Sequence, residues 1–247
     1  ASAGNHGLSL AAGARIFGAS AVVYLSETVP KKFAEKLREK GAEVVIEGED
    51  YEASMKAASK RAAQESWNLL SDSTWEGYSA GYDVMEGYLM MPQEAFEEIP
   101  TSPTHIFLQA GVGGLAAAVT ASARSNWGSD PKIVIVEPSE APAIMESIKA
   151  RKPVYADGKV SVMGRLDCKE PSHLALYCLA KEADFFMTLT DKEVLDSIEV
   201  LDDYGFSTSA SGGAGFAGLH RAMISSECEL TPDSRVLLFL SEGKADD

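Results

Sequence analysis

From residue 105 the chain runs through His-Ile-Phe-Leu-Gln into Ala-Gly-Val-Gly-Gly-Leu and then into an apolar, alanine-rich stretch over 116–123. A short strand-forming run, a glycine turn and a helix, in that order, form the unit from which parallel sheets with flanking helices are built. The same alternation fills the chain. Apolar runs predict strands at 21–25, 42–46, 67–71, 132–136, 185–189 and 236–240. Between them, amphipathic spacing predicts helices at 8–17, 30–40, 51–66, 80–98, 141–149 and 172–183. A further helix runs from Asp191, read as its cap, to 203, and Ser211-Gly212-Gly213-Ala214-Gly215 opens another. Residues 152–167 show no period and read as loop. The expected architecture is therefore α/β with two parallel-sheet domains, a small one at 1–71 and a larger one at 72–247.

With 247 residues, 45% of them hydrophobic and 24% charged, the chain can bury a sizeable core. Its net charge of −15 argues against nucleic acid or an anionic membrane as partner, because both require clustered Lys and Arg. A phosphate bound here would be held by backbone amides. No apolar run reaches the roughly 18–20 residues that span a bilayer, and no charged-then-apolar leader is visible. Cys168, Cys178 and Cys228 form no C-x-x-C pair, and their odd number suits reduced thiols in a cytoplasmic protein. The chain opens on Ala1 in a ligand-type loop with no strand before it, so the small domain is expected to be incomplete, its N-terminal part missing.

Three stretches carry candidate chemistry. Ala1-Ser2-Ala3-Gly4-Asn5-His6-Gly7 gathers a hydroxyl, an amide and an imidazole beside the unpaired N–H groups of a helix start, which suits an anion. The plainer reading is an N-cap by Ser2 or Asn5. Gly111-Val112-Gly113-Gly114 places several N–H groups around one point, as a phosphate requires. It departs from the dinucleotide fingerprint, for which Glu137 is the only acidic residue near the usual register. A tight turn with glycines for packing is its plainer reading. Asp72, opening Asp-Ser-Thr-Trp-Glu-Gly-Tyr, stands among aromatics just after an expected strand and is a candidate base or a helix cap. His6, His105, His173 and His220 are too dispersed for a metal site, and no G-x-S-x-G elbow is present.

The strings Asp72 to Tyr78, Leu108 to Gly114, Ile135 to Pro138, Met163 to Ser172 and Ser241-Glu242-Gly243 together resemble the fold type II pyridoxal-phosphate enzymes, the tryptophan synthase β-like group. Within that group they look like the diaminopropionate ammonia-lyases. The resemblance covers almost the whole chain, and D-x-x-W-E-G-Y and L-x-C-x-E-P-S are its most specific parts.

Carried over by position, the resemblance implies a pyridoxal 5'-phosphate cleft between the two domains. Asn5 would bond the cofactor's phenolic oxygen, and Gly111, Val112, Gly113 and Gly114 would cradle its phosphate. Ser241 would face the pyridine nitrogen, and Ser2, Ala3, Gly4 and His6 would hold the substrate carboxylate. Asp72 would take the α-proton of a small amino acid, 2,3-diaminopropionate, which loses its β-amino group to give pyruvate and ammonia. A homodimer is implied as well. Two departures stand out. The family's Schiff-base lysine precedes its S-x-G-N-H loop and falls before Ala1, and the lysines present sit in charged helices, in loops or near the C-terminus. Ala3 occupies a place where members can carry an acidic residue thought to serve the opposite substrate enantiomer. A serine, threonine or hydroxyaspartate dehydratase is therefore one alternative, and a non-catalytic cofactor or amino-acid binder is another.

Overall fold

A computed structural model describes residues 1–244. The chain divides into two compact units, Ala1–Ser71 and Asp72–Asp247.

The first unit runs α1 (Asn5–Ile16), β1 (Val22–Leu25), α2 (Lys31–Glu39), β2 (Glu43–Ile46) and α3 (Tyr51–Glu65). β1 and β2 pair in parallel with Val22 opposite Glu43. Val23, Leu25, Phe33 and Leu37 form its core with four alanines. Asp50 caps α3 by accepting from the Ala53 N–H at 2.7 Å, and Ser66 ends it in the left-handed region. Residues 67–71, expected as a strand, form none. Trp, Asn, Leu, Leu and Ser include no β-branched residue. The run is held instead by local contacts: the Trp67 N–H closes onto the Ala62 carbonyl, and the Arg61 guanidinium lies 5.1 Å from the Trp67 ring centre.

The second unit carries α4 (Gly81–Gly87), α5 (Met90–Glu98), β3 (His105–Gln109), α6 (Gly114–Trp127), β4 (Lys132–Pro138) and α7 (Ala143–Ala150). After a long loop come α8 (His173–Glu182), β5 (Phe185–Leu189), α9 (Asp191–Asp203), α10 (Ala214–Ser225) and β6 (Val236–Leu238). Its four strands lie in the order β5-β4-β3-β6, every pair parallel. Side chains alternate across this sheet. Ile106, Leu108, Ile133 and Ile135 pack on one side with residues of α6 and α8, while Phe107, Val134, Val136 and Met187 pack on the other with residues of α9 and α10. A parallel sheet covered on both faces is largely apolar; all five residues of β3 are buried, and its polar ends His105 and Gln109 are hydrogen-bonded.

Two expected elements differ in detail. The helix foreseen over 80–98 is broken at Tyr88–Leu89, because Pro92 has no N–H for the Tyr88 carbonyl and its ring would collide with that oxygen. The cap of α9 is Thr190, which forms a reciprocal capping box with Glu193. Asp191 instead accepts from the Ser161 hydroxyl at 2.6 Å and the Val162 N–H at 3.2 Å, pinning the long loop.

Candidate active site

In the second unit the glycine turn follows the carboxyl end of β3, the place where ligands meet parallel sheets. Gly113 is the N-cap of α6 at φ +96°, a conformation that favours glycine, and no side chain caps the helix. The leading N–H groups of α6 therefore have no partner within the helix. A Cβ on Gly113 would meet Ile144 Cδ1 at 2.8 Å, and one on Gly111 would meet the Arg165 carbonyl oxygen and Cys168 Sγ at 3.1 Å. The side of the turn where a Cβ would stand is thus filled by packing. An uncapped helix start behind a glycine corner fits a phosphate ester.

Asp72 does not cap a helix, since the next one starts at Gly81 with Ala80 at its N-cap. After it, Trp75 and Tyr78 pair their backbones and stack their rings with centroids 4.1 Å apart. Burial, with the nearby Asp72 carboxylate second, pushes the Tyr88 phenol up to about 12. Tyr88 therefore remains a hydrogen-bond donor at neutral pH. A Cβ on Gly114 would lie 3.4 Å from its ring. The break in the helix thus sets one phenol beside both the candidate base and the glycine corner. The sequence signal for it is Pro92, four residues on.

Ser241 lies three residues beyond β6, is exposed, and accepts from Gln109 Nε2 at 3.0 Å. The same nitrogen points at the carbonyls of Phe239, 2.9 Å away, and Gly212, 3.2 Å away, which fixes which end of the amide faces the serine. Gln109 Oε1 is buried without a hydrogen bond among the described residues. With nitrogen donating to its oxygen, Ser241 keeps its own hydroxyl proton to donate.

Glu137, the one acidic residue considered for a nucleotide ribose, is only 1% exposed and serves α7 instead. It accepts from the N–H groups of Ile144 at 2.7 Å and Met145 at 2.9 Å. His105 is likewise internal, with Nδ1 2.8 Å from the Thr104 hydroxyl and Nε2 2.9 Å from the Cys228 carbonyl. Among the described residues no three His, Cys, Asp or Glu side chains cluster to hold a metal ion. Lys169, 11% exposed, is bound by Asp167 at 2.7 Å and by the carbonyls of Glu140 and Lys159 at 2.9 Å each. It serves the long loop and is not placed to hold a cofactor aldehyde.

In the first unit, Ser2 Oγ accepts from Gly4 N–H at 3.3 Å and Gly7 N–H at 3.0 Å, so it satisfies the start of α1 from outside the usual cap position. Gly4 is the N-cap, with no side-chain bond of its own. With both N–H groups donating to its oxygen, Ser2 keeps its hydroxyl proton to donate. Asn5 is the first residue of α1 and is exposed, while Ala3 is half-buried. His6 Nε2 lies 3.1 Å from the Leu70 carbonyl, which ties α1 to the segment that leads to Asp72.

The family model for pyridoxal-phosphate dependent enzymes matches residues 1–242. This chain belongs to that family. The residues that fit the cofactor's phosphate, Gly111 to Gly114, fall inside the match, and pyridoxal phosphate is the family's cofactor. Among curated relatives, the diaminopropionate ammonia-lyase of Escherichia coli K12 is 29% identical over 98% of this chain. That of Salmonella typhimurium is 28% identical over 97% of it, and the L-threonine ammonia-lyase of Thermotoga maritima is 24% identical over 87%. A crystal structure of the E. coli diaminopropionate ammonia lyase superposes with a TM-score of 0.89 at 28% identity, over 98% of this chain. It was determined in complex with an aminoacrylate–PLP azomethine intermediate. The chain spans 66% of the length of the E. coli lyase and 65% of that from Salmonella.

Proposed function

We propose that this chain belongs to a pyridoxal-phosphate-dependent carbon–nitrogen lyase that releases ammonia from 2,3-diaminopropionate. The observation that carries this reading is the pairing of an uncapped glycine corner at Gly111–Gly114 with a carboxylate at Asp72, linked by Tyr88 in one unit. The likeness to the diaminopropionate ammonia-lyases over 98% of the chain supports it.

Gly111, Val112, Gly113 and Gly114 hold the phosphate through backbone N–H groups and the start of α6. Ser241 donates to the pyridine nitrogen, and Asn5 bonds the phenolic oxygen. Ser2 and the backbone of Ala3, Gly4 and His6 receive the substrate carboxylate. Bound pyridoxal phosphate supplies the sink for the electron pair left at the α-carbon. Asp72 takes the α-proton as general base. The β C–N bond then breaks and ammonia leaves. Released 2-aminoacrylate tautomerises to the imine, and water converts it to pyruvate and a second ammonia. The donor at Ser241 is neutral, so it does not hold a pyridinium strongly, which favours elimination over transamination.

The dehydratase reading keeps one specific observation in its favour. Ala3, where diaminopropionate ammonia-lyases can carry an acidic residue, gives the loop the form found in threonine and serine dehydratases. We assign the protein to the cytoplasm and to a homodimer in line with this reading; no helix among the described residues is long and apolar enough to cross a membrane. The test is pyruvate release by the full-length gene product, loaded with pyridoxal phosphate, from both enantiomers of diaminopropionate and from serine and threonine. One diaminopropionate enantiomer is expected to be the best substrate. Equal or faster turnover of serine overturns the assignment in favour of a dehydratase, and no turnover with retained cofactor favours a binding protein.

A further inference from the structure

The loop bearing Asp72 and the corner bearing Gly111–Gly114 meet at one point, the start of α8, through two residues with no assigned role. Ser172 stands at the N-cap of α8 but makes no side-chain cap for its own helix. Thr74, 98 residues earlier, does that work. Its carbonyl accepts from the His173 N–H at 2.9 Å, and its hydroxyl accepts from the Leu174 N–H at 2.9 Å. In exchange, Ser172 Oγ accepts from the Thr74 N–H at 3.0 Å and pairs with the Thr74 hydroxyl at 2.9 Å. The Ser172 N–H in turn donates to the Val112 carbonyl at 2.9 Å, inside the glycine corner. Ser172 is 0% exposed and Thr74 7% exposed, so water cannot take over these bonds.

We infer that Thr74 and Ser172 are positioning residues that couple the Asp72 loop to the phosphate corner, so that occupation of the corner orders the base. A helix start borrowed from another segment is satisfied only when both segments are in place. Thr74 sits two residues from Asp72 and Ser172 bonds directly to Val112, so neither loop can move without breaking bonds at the α8 start. Neither residue is needed to touch the substrate. The inference rests on the site reading above, but its central readout does not depend on the reaction.

The first test is hydrogen–deuterium exchange on the full-length protein with and without inorganic phosphate, the group that the corner fits. Phosphate is expected to slow exchange at the Thr74, His173 and Leu174 amides together with those of residues 111–114. Slowing confined to 111–114 overturns the coupling. The second test is T74V, which keeps the shape and removes the hydroxyl, compared with T74S, which restores it. T74V is expected to weaken pyridoxal phosphate binding about tenfold although residue 74 does not line the corner, and to lower kcat by about 10- to 100-fold. T74S is expected to stay within about twofold of wild type in both. A folded T74V with unchanged cofactor affinity overturns the inference. Failure of the wild-type protein to release pyruvate from diaminopropionate would instead remove the functional assignment and leave the phosphate-exchange test intact.

Discussion

At the scale of single residues, the second unit puts its chemistry on side chains fixed by their neighbours. Burial and the Asp72 carboxylate both disfavour the Tyr88 phenolate and raise it to about 12, above the ordinary phenol. Gln109 presents only its nitrogen to Ser241 because two carbonyls hold the amide. D72N keeps the size and loses the basicity. It is expected to lower kcat on the preferred diaminopropionate enantiomer by roughly 10²- to 10⁴-fold. Cofactor affinity should stay within about threefold, and a variant retaining a third of wild-type kcat would exclude Asp72 as the base. The motif residues Asp72, Gly111 to Gly114 and Ser241 were legible because short polar and glycine residues follow apolar runs. Thr74, Tyr88, Gln109 and Ser172 were not, because their roles arise from partners 16 to about 130 residues away that no local pattern shows.

Among the elements, β4 and α7 are joined by a buried carboxyl group. Both Glu137 oxygens serve the first N–H groups of α7, and that helix supplies Ile144, whose side chain backs Gly113. Burial outweighs those two bonds and the neighbouring Lys149, with Glu146 adding to it, and pushes the Glu137 carboxyl up to about 7. The folded form therefore holds a proton between the ordinary value of 4.5 and about 7 that the unfolded form has released. Glu137's contribution is fully present below that window and is lost as pH rises through about 7. The difference in thermal midpoint between wild type and E137Q, followed from pH 4.5 to 7.5, should shrink as pH rises. A constant difference would contradict the raised value. Removing both acceptors with E137L should cost about 2–4 kcal/mol, since two N–H groups become buried and unpaired. Most elements were legible from period and length. The exceptions have physical causes: 67–71 has no β-branched residue and is held by local contacts, and Pro92 splits 80–98 by denying one carbonyl its donor.

For the molecule as a whole, the two units differ in how much they can stabilise by themselves. The first has two strands and a core half made of alanine, while the second has four strands covered on both faces. A two-stranded sheet with so small a core is marginal in isolation. Residues 72–247 alone are expected to unfold cooperatively in urea, and residues 1–71 alone are not. A sigmoidal transition for the shorter piece, followed by circular dichroism, would refute this.

The sheet order carries a consequence for biosynthesis. β3 lies between β4, about two dozen residues downstream, and β6, which begins at Val236. While the nascent polypeptide is still emerging, one flank of β3, all five residues of which are buried in the fold, has no neighbour until Val236–Leu238 leave the ribosome. Chains that stop early would display that bare backbone rim to one another. Premature termination before position 236 therefore points to inclusion bodies, and to a need for chaperone shielding during translation, rather than to a shortened but soluble product.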